Sequence, residues 1–184
     1  MAFISDPPPT YPNPNSGQLT RCYYYKFISS ADFIVANTYI DRTFESDIVR
    51  LLNSGYCEEI EVKISVADFK KDFEKRDRGF LKHDKIARGE YFANRFYFYV
   101  PYTIAEKVRD LVPEYAGLIT FSEHGYVKKE INAPLLHKEK LGEKTKYRLA
   151  RKHIFKYWDL VIRNASVQEN NCEGDPDSSQ DENL

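Results

Sequence analysis

The chain of 184 residues contains only three cysteines, one methionine and one tryptophan. Cys22, Cys57 and Cys172 are odd in number and far apart, so neither a disulfide framework nor a zinc site is suggested. His124, His137 and His153 show no metal-ligand spacing either. No apolar run approaches the ~20 residues of a membrane helix. The start of the chain lacks the basic-then-apolar order of a secretory leader. A reducing cytoplasm is therefore the expected compartment, and a membrane is not an expected partner. The last stretch lacks bases altogether: from Ala165 onward there are six acids and no lysine or arginine, so the formal net charge of −1 splits into −6 on the tail and +5 on residues 1–164. A mildly basic body is compatible with a phosphate-rich partner, although an ordinary solvated surface explains the charge equally well.

The residues that are present describe a globular protein. Hydrophobic residues make up 42% and charged residues 30%, and the length suits one domain with a real core. Residues 1–18 hold Pro7, Pro8, Pro9, Pro12 and Pro14 and read as extended or disordered chain. The expected domain is 19–164, and 165–184 reads as a disordered acidic tail. A short helix is expected from about Gly17 to Phe27. FIVANTYI reads as an extended segment and ESDIVRLL as a short strand, a turn follows at Asn53-Ser54-Gly55, and YCEEIEVKIS is the returning arm of a hairpin. Ser65 caps the next helix, with Asp68 three residues on, and Val66, Phe69 and Phe73 share a face. NRFYFYVP is a strand stopped by Pro101, residues 103–111 suit a short helix, YAGLITFS is a further strand, and GYVKKEINAP is either another strand or a trailing arm. Residues 143–164 form a longer helix with Tyr147, Ala150, Ile154, Trp158 and Val161 on one face. This order predicts an α/β protein with a mixed central sheet flanked by helices.

The chemistry concentrates in E-S-D-I-V-R-L, the turn, and E-I-E-V-K-I-S. Residues two apart in a strand share a side, so Glu61 and Lys63 face one way while Ile60, Val62 and Ile64 face the other. The apolar stripe implies a strand packed into a core, where an isolated charge is costly. An acid from the neighbouring strand and a divalent cation would compensate. Asp47 opens that strand, and the turn folds it back beside Glu61. Two carboxylates with a backbone carbonyl such as that of Val62 make an all-oxygen site of the kind Mg²⁺ or Mn²⁺ takes. Such a cation would polarise a phosphoryl oxygen, and Lys63 would orient the attacking water or stabilise charge developing on phosphate. An E-x-K triplet alone more often means an ion pair at a strand edge; Asp47 and the helix starting directly after the strand raise it above that.

Five pieces, in order, carry a resemblance: ESDIVRL, SGYCEEIEVKISVADFKKDF, KHDK, NRFYFYVP and VPEYAGLI. Over roughly residues 45–118 the chain resembles the MmcB-like DNA repair proteins, a bacterial and phage branch of the PD-(D/E)XK nuclease-like superfamily. The resemblance implies a restriction-endonuclease-like core, with Asp47 and Glu61 as metal ligands and Lys63 as the catalytic lysine. It also implies DNA as partner and a bacterial cytoplasm or phage-infected cell as location. Ser46 stands where the superfamily often has proline. Many members of the superfamily have lost activity or act on other substrates, so fold alone leaves function open.

Secondary candidates each have an ordinary reading beside the functional one. Glu45 would share the strand face of Asp47 as an extra ligand; the commoner meaning is a surface charge. His83, in Lys82-His83-Asp84, could touch phosphate or shuttle a proton, or simply make a structural hydrogen bond. Lys70, Lys71, Lys75 and Lys82 could meet a nucleic-acid backbone, as could Arg148, Arg151 and Lys152 on the dense basic face of the last helix. Tyr97-Phe98-Tyr99 could stack on bases, but core packing on one face and a covering helix on the other fit better. Three functions compete: a Mg²⁺- or Mn²⁺-dependent deoxyribonuclease, a nucleic-acid binder that keeps the fold without cleaving, and an interaction protein working through its termini. A homodimer is compatible with each.

Overall fold

The structure is a computed structural model that describes residues 9–40 and 44–172, with side chains through Asn164. The first helix, α1 (Ser16–Phe27), starts where Asn15 and Gln18 cap each other's backbone N–H groups, both at 2.9 Å. The helix thus runs over the expected segment, starting one residue before Gly17. The segment before it is irregular but anchored: the Tyr11 N–H donates to the Glu123 carbonyl at 2.7 Å and its ring meets Phe121 edge-on at 5.2 Å. The first eight residues of the expected Pro-rich segment lie outside the described residues.

Strands β1 (Ala31–Tyr39), β2 (Glu45–Leu52) and β3 (Cys57–Val62) form an antiparallel meander. The turn between β2 and β3 closes as expected. Gly55 takes φ +84°, a left-handed conformation suited to glycine, and its N–H donates to the Leu52 carbonyl at 2.8 Å. Ser65 caps α2 (Val66–Asp72) by accepting the Asp68 N–H at 3.1 Å. Then comes a part that the sequence pattern did not reveal: a two-residue ribbon, β4 (Arg76–Asp77) with β5 (Phe80–Leu81), leading into the six-residue helix α3 (Lys82–Ala87). Elements this short display no period. The chain continues through β6 (Arg95–Pro101), α4 (Tyr102–Arg109), β7 (Ala116–Phe121) and β8 (Val127–Ile131).

Six strands make one mixed sheet in the order β1-β2-β3-β6-β7-β8. β3, β6 and β7 run parallel and the other neighbours antiparallel. The α/β architecture with helices flanking a mixed sheet is thus the one the pattern predicts. Strand parity divides the core in two. Ile48, Ile60, Val62, Tyr97, Tyr99 and Ile119 pack with Leu19 and Tyr23 of α1. Phe96, Phe98 and Leu118 pack on the other side with Phe69 of α2, Ile86 of α3 and Val108 of α4. Tyr97, Phe98 and Tyr99 are therefore all buried, and none is presented for base stacking.

The chain divides after Thr145 rather than after residue 164. Helix α5 begins at Glu143 and runs through Cys172, so residues 165–172, read as tail, are helical. Residues 173–184 of the expected acidic tail lie outside the described residues. In the second unit Lys156, Asp159 and Arg163 share one side of α5. No helix among the described residues is long and apolar enough to cross a membrane.

Candidate active site

The β2–β3 register pairs Ile48 with Ile60, so one step further along Asp47 stands across from Glu61. At this point the ladder gives way to a side chain: Asp47 Oδ2 accepts the Val62 N–H at 2.8 Å. The Lys63 N–H continues the parallel pairing by donating to the Tyr99 carbonyl at 3.0 Å. Asp47, Val62 and Lys63 line a cleft of about 630 Å³ that also takes in Arg21 of α1, Asn37 of β1 and Lys75. Asn37 holds a left-handed φ of +50°, which asparagine tolerates better than most residues. The sequence reading thus brings Asp47, Glu61 and Lys63 to one place, and Val62 with them.

Glu61 is fully buried and sits among three ammonium groups. Its Oε2 lies 2.9 Å from the Nζ of Lys63 and 2.9 Å from that of Lys75, and its Oε1 pairs with Lys82. Lys63 and Lys75 also each stand 2.7 Å from Asp72 Oδ1. Two lysines and two carboxylate oxygens therefore alternate around a square. Lys82, with no exposed side-chain surface, also pairs with Glu59 at 2.8 Å. Asp72 Oδ2 lies 2.8 Å from His83 Nε2, and His83 Nδ1 lies 2.9 Å from the Tyr115 hydroxyl. One contiguous stretch, from Glu59 to His83, supplies nearly the whole network.

The charges set the protonation states. Burial pushes the Glu61 carboxyl up, but the ammonium groups of Lys82, Lys63 and Lys75 outweigh it and hold it at about 2. Asp72 is likewise lowered, its burial overcome by the hydrogen bond from His83 and by Lys63. Burial alone would lower Lys63, yet Glu61 and Asp72 raise it, so it stays charged. The remaining two acids go the other way. Asp47 rises to about 6, first through burial and then through Glu61. Glu59 rises to about 7, because burial exceeds the help that Lys82 gives.

Several sequence-derived assignments change. Lys82 is a buried counter-ion with no surface for a nucleic-acid backbone. His83 is 6% exposed and held on both ring nitrogens, so it makes the structural hydrogen bond rather than a phosphate contact. Glu45 is exposed at the start of β2, with the Tyr39 hydroxyl 3.4 Å from its Oε2, which is the surface-charge reading. Lys70 and Lys71 are exposed on α2 and line no part of the cleft, whereas Lys75 enters it. Arg148, Arg151 and Lys152 belong to the second unit, where the Arg151 guanidinium lies over the Phe155 ring at 5.1 Å.

The sequence reading missed Glu59, Asp72 and Tyr115. Glu59 had a signal, since it shares the strand parity of Glu61. Asp72 had one too: it follows Phe69 by one turn, on the side of α2 that packs inward. Tyr115 had none, because it comes from the loop before β7. A second buried ion cluster occupies the opposite sheet face, where Glu58 pairs with Arg50 and Lys129, both at 2.9 Å.

Among the described residues no group of three or more His, Cys, Asp or Glu side chains forms a metal-ligating cluster. A Mg²⁺-type site needs less, because that ion keeps several waters and takes one or two carboxylates. Asp47 and Glu61 supply two carboxylates on facing strands, and both Glu61 oxygens are paired with ammonium groups. Burial and then the neighbouring Glu61 charge raise Asp47, while Glu61 itself is neutralised by three ammonium groups.

No family model and no curated protein matches the chain. Among solved structures, the fold is similar to that of a protein of unknown function from Silicibacter pomeroyi, at 20% identity and a TM-score of 0.54, covering 91% of this chain and 99% of that one. At that identity the likeness carries the fold alone: an α/β chain built on a mixed six-stranded sheet flanked by helices.

Proposed function

We propose that the chain is a metal-dependent nuclease of restriction-endonuclease-like type that hydrolyses DNA phosphodiester bonds, in DNA repair or in phage or mobile-element DNA metabolism. The observation that carries this reading is the convergence of Asp47, Val62 and Lys63 at the cleft, with Glu61 directly behind them. Asp47, Glu61 and the Val62 carbonyl would hold Mg²⁺ or Mn²⁺. When bound, the cation supplies charge neutralisation at the phosphoryl group and a more acidic water. The protein's own groups do the rest. Lys63, kept charged by Glu61 and Asp72, offers a fixed ammonium to the negative charge that grows on phosphate as water adds to phosphorus and the bond to the leaving oxygen breaks. Arg21 and Lys75 line the cleft as cationic contacts for the flanking backbone.

The test is cleavage of single-stranded, duplex and branched DNA with Mg²⁺ or Mn²⁺. Expected is cleavage that a chelator stops and that Asp47→Ala and Glu61→Ala each abolish. Cleavage that survives both substitutions removes the proposed site. One observation favours a second reading, a nuclease-fold protein that binds nucleic acid or a protein partner without cutting: both Glu61 oxygens already have ammonium partners. That reading expects salt-sensitive DNA binding indifferent to Asp47→Ala and to Mg²⁺.

A further inference from the structure

We infer that Lys75 is a displaceable internal cation, which occupies the carboxylate pocket until a divalent cation takes its place and releases the ammonium into the cleft. The inference rests on the metal-dependent reading above and adds to it the event that loads the site.

Three lysines compensate Glu61, and they are not equivalent. Lys82 has no exposed side-chain surface and bridges Glu59 and Glu61. The Lys63 side chain is 5% exposed and its backbone is tied to β6. The Lys75 side chain is 36% exposed, lines the cleft and follows the end of α2 in a turn. Yet Lys75 makes the same two contacts as Lys63, to Glu61 Oε2 at 2.9 Å and to Asp72 Oδ1 at 2.7 Å. Removing it leaves each of those oxygens with one ammonium from Lys63. Swinging it outward returns to water the ammonium of a side chain that is already partly exposed, at little desolvation cost. Withdrawing Lys63 or Lys82 would instead strand a buried charge.

Withdrawing Lys75 takes one positive charge from beside Glu61 Oε2 and Asp72 Oδ1, and a cation arriving from the cleft restores it. Lys75 and the cation therefore compete for Glu61, and loading the site adds a free ammonium to the wall where a phosphate backbone would pass.

Two measurements on the full chain test this. In the first, Mn²⁺ is titrated into metal-free protein and free Mn²⁺ is followed by electron paramagnetic resonance. Lys75→Met is expected to bind Mn²⁺ about tenfold more tightly than wild type, because the competing charge is gone, while Lys75→Arg behaves as wild type. The second uses the unaltered protein, so no variant has to fold. Lysine acetylation with and without saturating Mn²⁺ is read by mass spectrometry; Lys75 should be modified faster with Mn²⁺ while Lys63 and Lys82 stay protected. Equal or weaker Mn²⁺ binding by Lys75→Met, or unchanged Lys75 labelling at saturation, overturns the inference and leaves the nuclease reading intact. Absence of Mn²⁺ binding by wild type and both variants overturns both.

Discussion

Lys82 allows the buried network to be tested by stability alone. Its ammonium is fully buried, pairs with Glu59 at 2.8 Å and with Glu61, and lies 5.3 Å from the centre of the Phe96 ring. Lys82→Met keeps an unbranched chain of similar volume and deletes the charge. Two carboxylates then share the buried face with one fewer counter-ion. Removing one partner of a buried ion pair costs about 3–5 kcal/mol, against roughly 5–15 kcal/mol of total stability. For a chain of this size that lowers the Tm by roughly 6–20 °C. The pH dependence identifies the cause. Glu59 already sits at about 7, raised by burial, and losing Lys82 raises it further. A carboxyl raised in the folded state binds its proton more tightly there than when unfolded, so the deficit is full above the folded value and fades as pH falls through it. Thermal and urea unfolding at pH 8 and pH 6 should show the larger loss at pH 8. Glu59→Gln combined with Lys82→Met should recover a good part of it, because the uncompensated charge has gone. A loss under about 1 kcal/mol at pH 8, or no recovery in either case, would refute the claim that Lys82 serves as the buried counter-ion.

Two further predictions concern the metal-free protein. Asp47→Asn retains an oxygen that can accept the Val62 N–H and deletes a carboxylate held at about 6. Because the raised group contributes stability below its unfolded value near 4 and loses it as pH rises through 6, the substitution should stabilise the protein at pH 8, on the order of 1 kcal/mol after solvent screening, and by little at pH 4; an equal effect at both pH values, by urea unfolding, contradicts the assignment. Gly117→Ala places a methyl against the Tyr97 ring and 2.6 Å from the Ile131 carbonyl, so β7 must shift or Tyr97 must leave its rotamer. Overpacking of this kind costs about 1–3 kcal/mol, and a Tm within 1 °C of wild type, by circular dichroism, would show that the sheet yields more readily than the packing indicates.

Much of the fold was legible in local sequence because each signal acts over a few residues. Alternation of Ile60 and Val62 with Glu59 and Glu61 sets the two faces of β3, Ser65 caps α2, and Asn53-Ser54-Gly55 closes a hairpin whose register brings Asp47 opposite Glu61. The pairing of acid with acid is therefore a consequence of turn length and strand period, both local. The fate of Lys75, Lys82 and His83 was not legible. Lys75 directly precedes β4, and Lys82 and His83 are the first residues of α3, elements too short to display a period, and each is of a type often found at a surface. They turn inward because this segment carries Lys75 and Lys82 to Glu59 and Glu61 and His83 to Asp72, and buried carboxylates require counter-ions. The sequence by itself determined the sheet, its faces and the two facing acids. The tertiary structure decided which cations meet them, since burial of a charge depends on two elements packed together and neither carries that information alone.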